Sequence, residues 1–278
     1  MTKNNIDVRR KIWFAALPIL VITTHFFTSS IFLYGIYDLF VNIFHIPKEQ
    51  FMKFSYLAEI LLDVVLMLVF FIIYKLAFRK DKDEIRTAAN IKDSARSLVA
   101  GAGVSGVSYL WILLAEKIPA LQRSLAAMDT ANKEIEGGSS LELILIAVVA
   151  APLIEEILFR GIVFRSIRKV IPGWVPIILS AAMFGAYHMN MVQAVYATFM
   201  GIVAAIIYEK TNNLMYPILV HAANNLIGAI QSFIPSDAGV FTLNMVSLAM
   251  IIPMCLVIYR LLKRNCTEQA SAKTPVDI

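Results

Sequence analysis

The stretch Ala150–Arg165, AAPLIEEILFRGIVFR, decides how the chain is read. It sets two adjacent carboxylates, Glu155 and Glu156, inside an apolar run long enough to cross a bilayer. Each ionisable group near the centre of such a helix costs about 2.5–3.5 kcal/mol on insertion scales, so a sequence rarely keeps two without a use for them. At about 100° per residue, Glu156 and Arg160 share one helix face at i, i+4 and can pair, while Glu155 points about 100° away with Phe159 on its side. The spacing therefore predicts that Arg160 holds Glu156 and that Glu155 is left free for chemistry. The plainer reading, in which all three anchor a helix against polar neighbours, suits a lone intramembrane charge better than a Glu–Glu pair.

Working outward, the 278 residues are 59% hydrophobic and 16% charged, which excludes a soluble domain and makes the chain an all-α polytopic membrane protein. Eight apolar runs are candidate spans, at roughly 12–40, 54–78, 98–116, 141–164, 174–190, 192–208, 214–234 and 240–262. The net charge of +5 carries no nucleic-acid signal, because the Lys and Arg residues sit in short loops where they report topology. Eighteen of them fall on the side of the N-terminus, in groups such as Arg9–Lys11, Arg79–Arg96 and Arg165–Lys169, against five on the other side. Both termini are thus expected in the cytoplasm of a protein of the cell membrane. The apolar run after Lys11 is too long for a cleaved signal and is expected to be a retained first span. Residues 79–97 read as a charged cytoplasmic loop, 117–140 as an external loop ending in Gly137-Gly138-Ser139-Ser140, and 265–278 as a disordered cytoplasmic tail. One domain over 1–278 is expected. Cys255 and Cys266 have no metal-ligand spacing, and no disulfide between them is expected.

Gly101-Ala102-Gly103-Val104-Ser105-Gly106 matches a dinucleotide fingerprint in letters alone. It opens a span instead of following a strand, so it reads as small residues that let helices approach closely. Phe184-Gly185-Ala186-Tyr187-His188 places an imidazole in the fifth run, and His221-Ala222-Ala223-Asn224-Asn225 places another in the seventh with Asn225 one turn on. A single intramembrane His is usually a packing residue; two, with a Glu pair and an amide, ask for more. Counted from the cytoplasmic ends, Glu155 and His221 lie about 10 Å in, and His188 about 10 Å deeper. Either the fifth helix begins inside the bilayer near Pro176 or the helices tilt. His25 and His45 carry no partner motif. Glu59 and Asp63 could line a wet vestibule or a substrate path. Pro152, one turn before Glu155, removes the bond to the Val148 carbonyl and is expected to kink its helix.

Such groups suit hydrolysis. A carboxylate and an imidazole that reach one water can deprotonate it, and a second imidazole with an amide can stabilise the resulting oxyanion. Glu plus two His could also hold a zinc ion with an open position, and the residues alone leave both routes open. Neither HExxH nor GxSxG is present.

Taken in order, Glu155-Glu156-Ile157-Leu158-Phe159-Arg160, Phe184 to His188, and His221 to Asn225 resemble the EExxxR, FxxxH and HxxxN signatures of the CAAX-processing and bacteriocin-immunity (CPBP, or Abi) intramembrane proteases. The resemblance covers about 141–230, a catalytic motif core, and implies an eight-span helical fold around a polar cavity open to the cytoplasm. It implies Glu155 as general base, His188 positioning the water, His221 and Asn225 as the oxyanion hole, and Glu156 with Arg160 in support. The implied activity is endopeptidase cleavage of membrane-associated peptides or lipidated protein tails, of the CAAX, peptide-pheromone or bacteriocin-related kind. No cofactor is needed on the glutamate-type reading, whereas zinc serves the metallo-type reading. The alternative is a non-catalytic immunity or scaffold protein on the same fold. A proton-coupled transporter would call for inverted repeats, and none is seen.

Overall fold

The computed structural model describes residues 8–79, 89–136 and 144–271. Among them the elements are all helical: α1 (Val8–Tyr37, extended by a π turn over Asp38–Ile43), α2 (Lys48–Ala77), α3 (Ile91–Ala115), α4 (Gln122–Glu136), α5 (145–170), α6 (Val175–Tyr187), α7 (Met191–Thr211), α8 (Met215–Gln231), α9 (Asp237–Ala249) and α10 (Ile251–Ser271). The protein is an all-α polytopic membrane protein. Five segments among the described residues are long and apolar enough to cross a membrane: Val8–Ile43, Leu57–Ala77, Ile91–Ala115, Met191–Thr211 and Asp237–Lys263. The other three expected runs are also helical rods, and they are the ones that carry the polar motifs. α5 holds Glu155, Glu156 and Arg160, α6 has 13 residues, and α8 has 17.

Three boundaries depart from the sequence reading. The external stretch 117–140 is not loop throughout, since α4 occupies most of it; Gly137–Ser140 lie outside the described residues. Ser124 of α4 exchanges hydrogen bonds with Asn190, its hydroxyl donating to Oδ1 at 2.7 Å and its carbonyl accepting from Nδ2 at 2.9 Å. This pins α4 to the turn between α6 and α7. Helix α3 starts earlier than expected because Asn90 caps it, accepting from the Asp93 N–H at 2.9 Å. The last helix runs to Ser271, further than the polar composition after Arg264 suggests.

Helix α3 is the packing pivot, and its small residues explain why. A methyl group on Gly101 would strike the Val220 carbonyl and Ala223 of α8. One on Gly103 would meet Met250 and Met254, and one on Gly106 would meet Ser247 and Leu248. The GxGxxG run is thus a three-sided contact surface, as the small-residue reading predicts. Gly185 of α6 does the same against Ala194 and Thr198 of α7. These approaches draw α6, α7, α8 and α3 into a tight group beside α5, with α1 and α2 packed on the other side of α5.

Candidate active site

Helix α5 is locally unwound around its two glutamates. Residues Leu145–Ala150 and Ile157–Phe164 are π-helical and bracket the short α segment Ala151–Glu156. Pro152 gives the physical reason for the first. In the π register Ala151 N–H donates to the Ile146 carbonyl, five residues back. The next donor would be residue 152, a proline with no N–H. The acceptor left over, the Ala147 carbonyl, takes the Asn225 side-chain amide of α8 at 2.8 Å. The expected disturbance at Pro152 is therefore a π bulge with a side-chain replacement for the missing donor, the kind of wide turn that often sits at functional sites.

The charges arrange as the helix geometry predicts. Arg160 Nη1 donates to Glu156 Oε1 at 2.9 Å, and both side chains are buried. The same Glu156 oxygen accepts from His221 Nδ1 at 3.1 Å. With its proton on Nδ1, His221 turns Nε2 toward Glu155 Oε2, 3.8 Å away. Glu155 is 16% exposed, yet its Oε2 is buried with no hydrogen-bond partner among the described residues. One imidazole thus stands between two carboxylates, one held and one free.

Phe184 is the plate on which these groups meet. The Arg160 guanidinium lies 4.7 Å from its ring centre, and the rings of His188 and His221 approach it edge-on at 4.8 and 5.7 Å. Gly201 leaves room for Arg160, because a methyl there would crowd Nη2. His188 ends α6. Its backbone N–H bonds to Gly185, which frees the Phe184 carbonyl for the His188 Nδ1 at 2.9 Å. That bond folds the imidazole back along the helix toward Phe184, offsetting part of the extra depth counted from the sequence, and leaves Nε2 as an acceptor. Helix α6 is about 20 Å long, too short to cross a hydrocarbon core of about 30 Å alone.

The structure adds residues that the motif reading missed. His25 of α1, read from sequence as having no partner, is buried with Nδ1 2.5 Å from the Tyr187 hydroxyl. Tyr187 packs edge-on against Phe159 at 5.6 Å and sits directly before His188. No periodicity links positions 162 apart, so sequence carried no signal for this pair. Asp63 of α2 comes within electrostatic reach of Glu155 and Tyr187, which places Asp63 on the site's side of α2.

Zinc fits this donor set poorly. Glu156 is engaged by Arg160 and His221, and among the described residues no three His, Cys, Asp or Glu side chains gather as a ligand set. Elsewhere, an open apolar groove of about 460 Å³ lies between α1 and α2, lined by Trp13, Leu17, Val21, Leu66, Phe70 and Ile73.

Residues 137–227 match the family model described as Type II CAAX prenyl endopeptidase Rce1-like. The resemblance read from the three motifs is borne out over that stretch. The Rce1-like stretch takes in Glu155, His188, His221 and Asn225, and leaves out α1 with His25. A similar protein is "Putative membrane peptidase YdiL" of Bacillus subtilis (strain 168), 27% identical over 93 residues, which are 34% of this chain. The chain spans 38% of that relative's length. No solved structure matches the chain.

Proposed function

We propose that the protein is an intramembrane endopeptidase of the CAAX-processing type, acting on a membrane-associated peptide or lipidated protein tail. Glu155 takes a proton from the attacking water. His188, with Nδ1 committed to the Phe184 carbonyl, offers Nε2 to orient that water. His221, fixed through Nδ1 by Glu156, presents Nε2 as an acceptor beside Glu155, a tautomer better suited to passing the proton to the leaving amine than to the oxyanion role the motif resemblance implies. The Arg160–Glu156 pair sets the position of His221. Asn225, expected in the oxyanion hole, has one amide N–H on the Ala147 carbonyl and one left for that role. The observation that carries this reading is the unpartnered Glu155 oxygen 3.8 Å from His221 Nε2, in a site where the neighbouring carboxylate is held by a cation.

The positive-inside distribution supports cytoplasmic termini in the cell membrane. A reporter fused after Ile278 that is active only outside the cytoplasm overturns that orientation. The activity is tested with the purified full chain in detergent and a panel of membrane peptides, with and without a farnesylated C-terminal cysteine, read by mass spectrometry. Cleavage at a defined bond by wild type, lost in Glu155→Gln, is expected. Cleavage of the whole panel by neither protein points to the binding or scaffold role, and equal cleavage by both removes Glu155 from the chemistry.

A further inference from the structure

Tyr187 and His25 form a polar pair in an otherwise aromatic wall. The His25 ring lies 5.7 Å from Phe70 and 5.6 Å from Tyr187, and its Nε2 is buried with no partner among the described residues. That last fact sets the direction of the hydrogen bond. A stranded N–H in an apolar wall costs more than a bare lone pair, so the proton belongs on Nδ1. Nδ1–H then donates to the Tyr187 oxygen at 2.5 Å, and the phenol keeps its own proton for another acceptor. Tyr187 is the last residue of α6, its ring 6.1 Å from that of His188 and edge-on to Phe159, with the Glu155 and Asp63 charges in reach. Of the other donors of the site, Arg160 Nη1 and His221 Nδ1 are engaged on Glu156 and one Asn225 N–H on Ala147, while Arg160 Nε and Nη2, without a hydrogen-bond partner among the described residues, belong to a guanidinium laid over the Phe184 ring.

We infer that Tyr187 is a further catalytic residue, its hydroxyl oriented by His25 to donate a hydrogen bond to the oxyanion that forms on the scissile carbonyl. This rests on the endopeptidase reading. An oxyanion is a stronger acceptor than a peptide carbonyl, so the bond tightens in the transition state and acts on kcat more than on KM. His25 is a positioning residue that works through Tyr187. Because it lies on α1, the inference makes a helix outside the Rce1-like stretch part of the reacting site.

The test uses the full chain in detergent and a quenched fluorescent version of whichever panel peptide the wild type cleaves. Tyr187→Phe keeps the ring packing and is expected to lower kcat about 10²-fold, the usual loss of one oxyanion donor, with KM little changed. His25→Leu should fall as far as Tyr187→Phe, and the double variant no further, since the two act as one unit. His25→Asn, whose amide can reach the place of Nδ1–H, should recover most of the rate. Nitrogen-15 spectra of the histidine rings give a readout independent of substrate: His25 should carry its proton on Nδ1, and its signal should move in Tyr187→Phe. A Tyr187→Phe kcat within about twofold of wild type, where removing an oxyanion donor costs about 10²–10³-fold, overturns the inference alone. So does a His25 proton found on Nε2. Failure of the wild type to cleave the panel overturns the endopeptidase reading, and this inference with it.

Discussion

Helices α2 and α7 are both long and apolar, yet 17% of the α2 span is buried inside the protein and 56% of the α7 span. Hydrophobicity does not drive the burial, since the α2 span is the more apolar, with mean hydropathy 2.6 against 1.8, and lipid tails as apolar as leucine exert no pressure to bury one helix face over another. Size does. The outer face of α2 shows Leu57, Leu61, Val65, Leu68 and Ile72 to the lipid side, whereas α7 buries Ala197, Gly201, Ala204 and Ala205. Small residues let α6, α7 and α8 close around α5, and the Arg160–Glu156–His221 chain lies in that tight group. On the α1–α2 side, contacts to α5 run through large rings such as Tyr74 and Phe78 against Arg165, and Glu59 and Asp63 form no ion pair among the described residues. The comparison teaches that small residues bring the helices close enough to build the Arg160–Glu156–His221 chain, while large rings fill the other side of α5.

The largest expected effect tests that division with one carboxylate from each half. Glu155→Gln should lower peptide cleavage by about 10²–10⁴-fold, the range for a lost general base, while its melting in detergent stays at or above wild type. An unpartnered carboxylate oxygen is removed there, so no stabilising bond is lost. Asp63→Asn, on α2, should cost less than about tenfold, as a change in the site's field and not in its reacting groups. Equal losses in the two variants would move the chemistry onto α2.

Next in size is stability. Arg160→Ala strands the buried Glu156 carboxylate and should destabilise the protein by about 3–5 kcal/mol, read as a loss of melting temperature and of folded yield. Replacing both partners, Glu156→Gln with Arg160→Met, should recover much of that without restoring full activity, because His221 loses its charged anchor. On the other side of α5, Arg165→Met gives up a guanidinium over the Tyr74 and Phe78 rings, worth about 2 kcal/mol when desolvated. If Arg165→Met proved the costlier change, α5 would be anchored to the aromatic half and the comparison would reverse.

How much of this was legible depends on range. The Arg160–Glu156 pair follows from i, i+4 spacing on one helix, and the motif residues Glu155, His188 and His221 could be named because their signatures are local. That α3's glycines pack was legible for the same reason: small residues in a span have few other uses. The span lengths were not. Helices α6 and α8 are short, at 13 and 17 residues, α5 carries Glu155, Glu156 and Arg160 within its apolar run, and α4 hid in a stretch with no apolar run. The plate role of Phe184, with Arg160 on its face and two imidazoles at its edges, needs three helices in place. His25 was illegible altogether. Its partner stands on α6, and a lone histidine in a lipid-facing helix looks the same whether or not a tyrosine meets it.

The smallest expected effect probes the backbone that holds the two glutamates, and it has no counterpart on α2, which runs 30 residues without a break. Asn225 serves the Ala147 carbonyl, which the π turn leaves without a donor because residue 152 is proline. Asn225→Leu removes that donor and should cost about 1–3 kcal/mol, the price of one unsatisfied buried acceptor. Pro152→Ala restores an N–H at the position where the π register calls for one, so the double variant Asn225→Leu with Pro152→Ala should melt above Asn225→Leu alone. Activity separates the two duties of the amide. If Asn225 only holds the π turn, the double variant should regain cleavage along with stability. If its second N–H also meets the oxyanion, stability returns and kcat stays low. Melting that does not recover in the double variant would mean that Ala147 finds its donor some other way, and the proline would no longer explain why an asparagine stands on α8 at that depth.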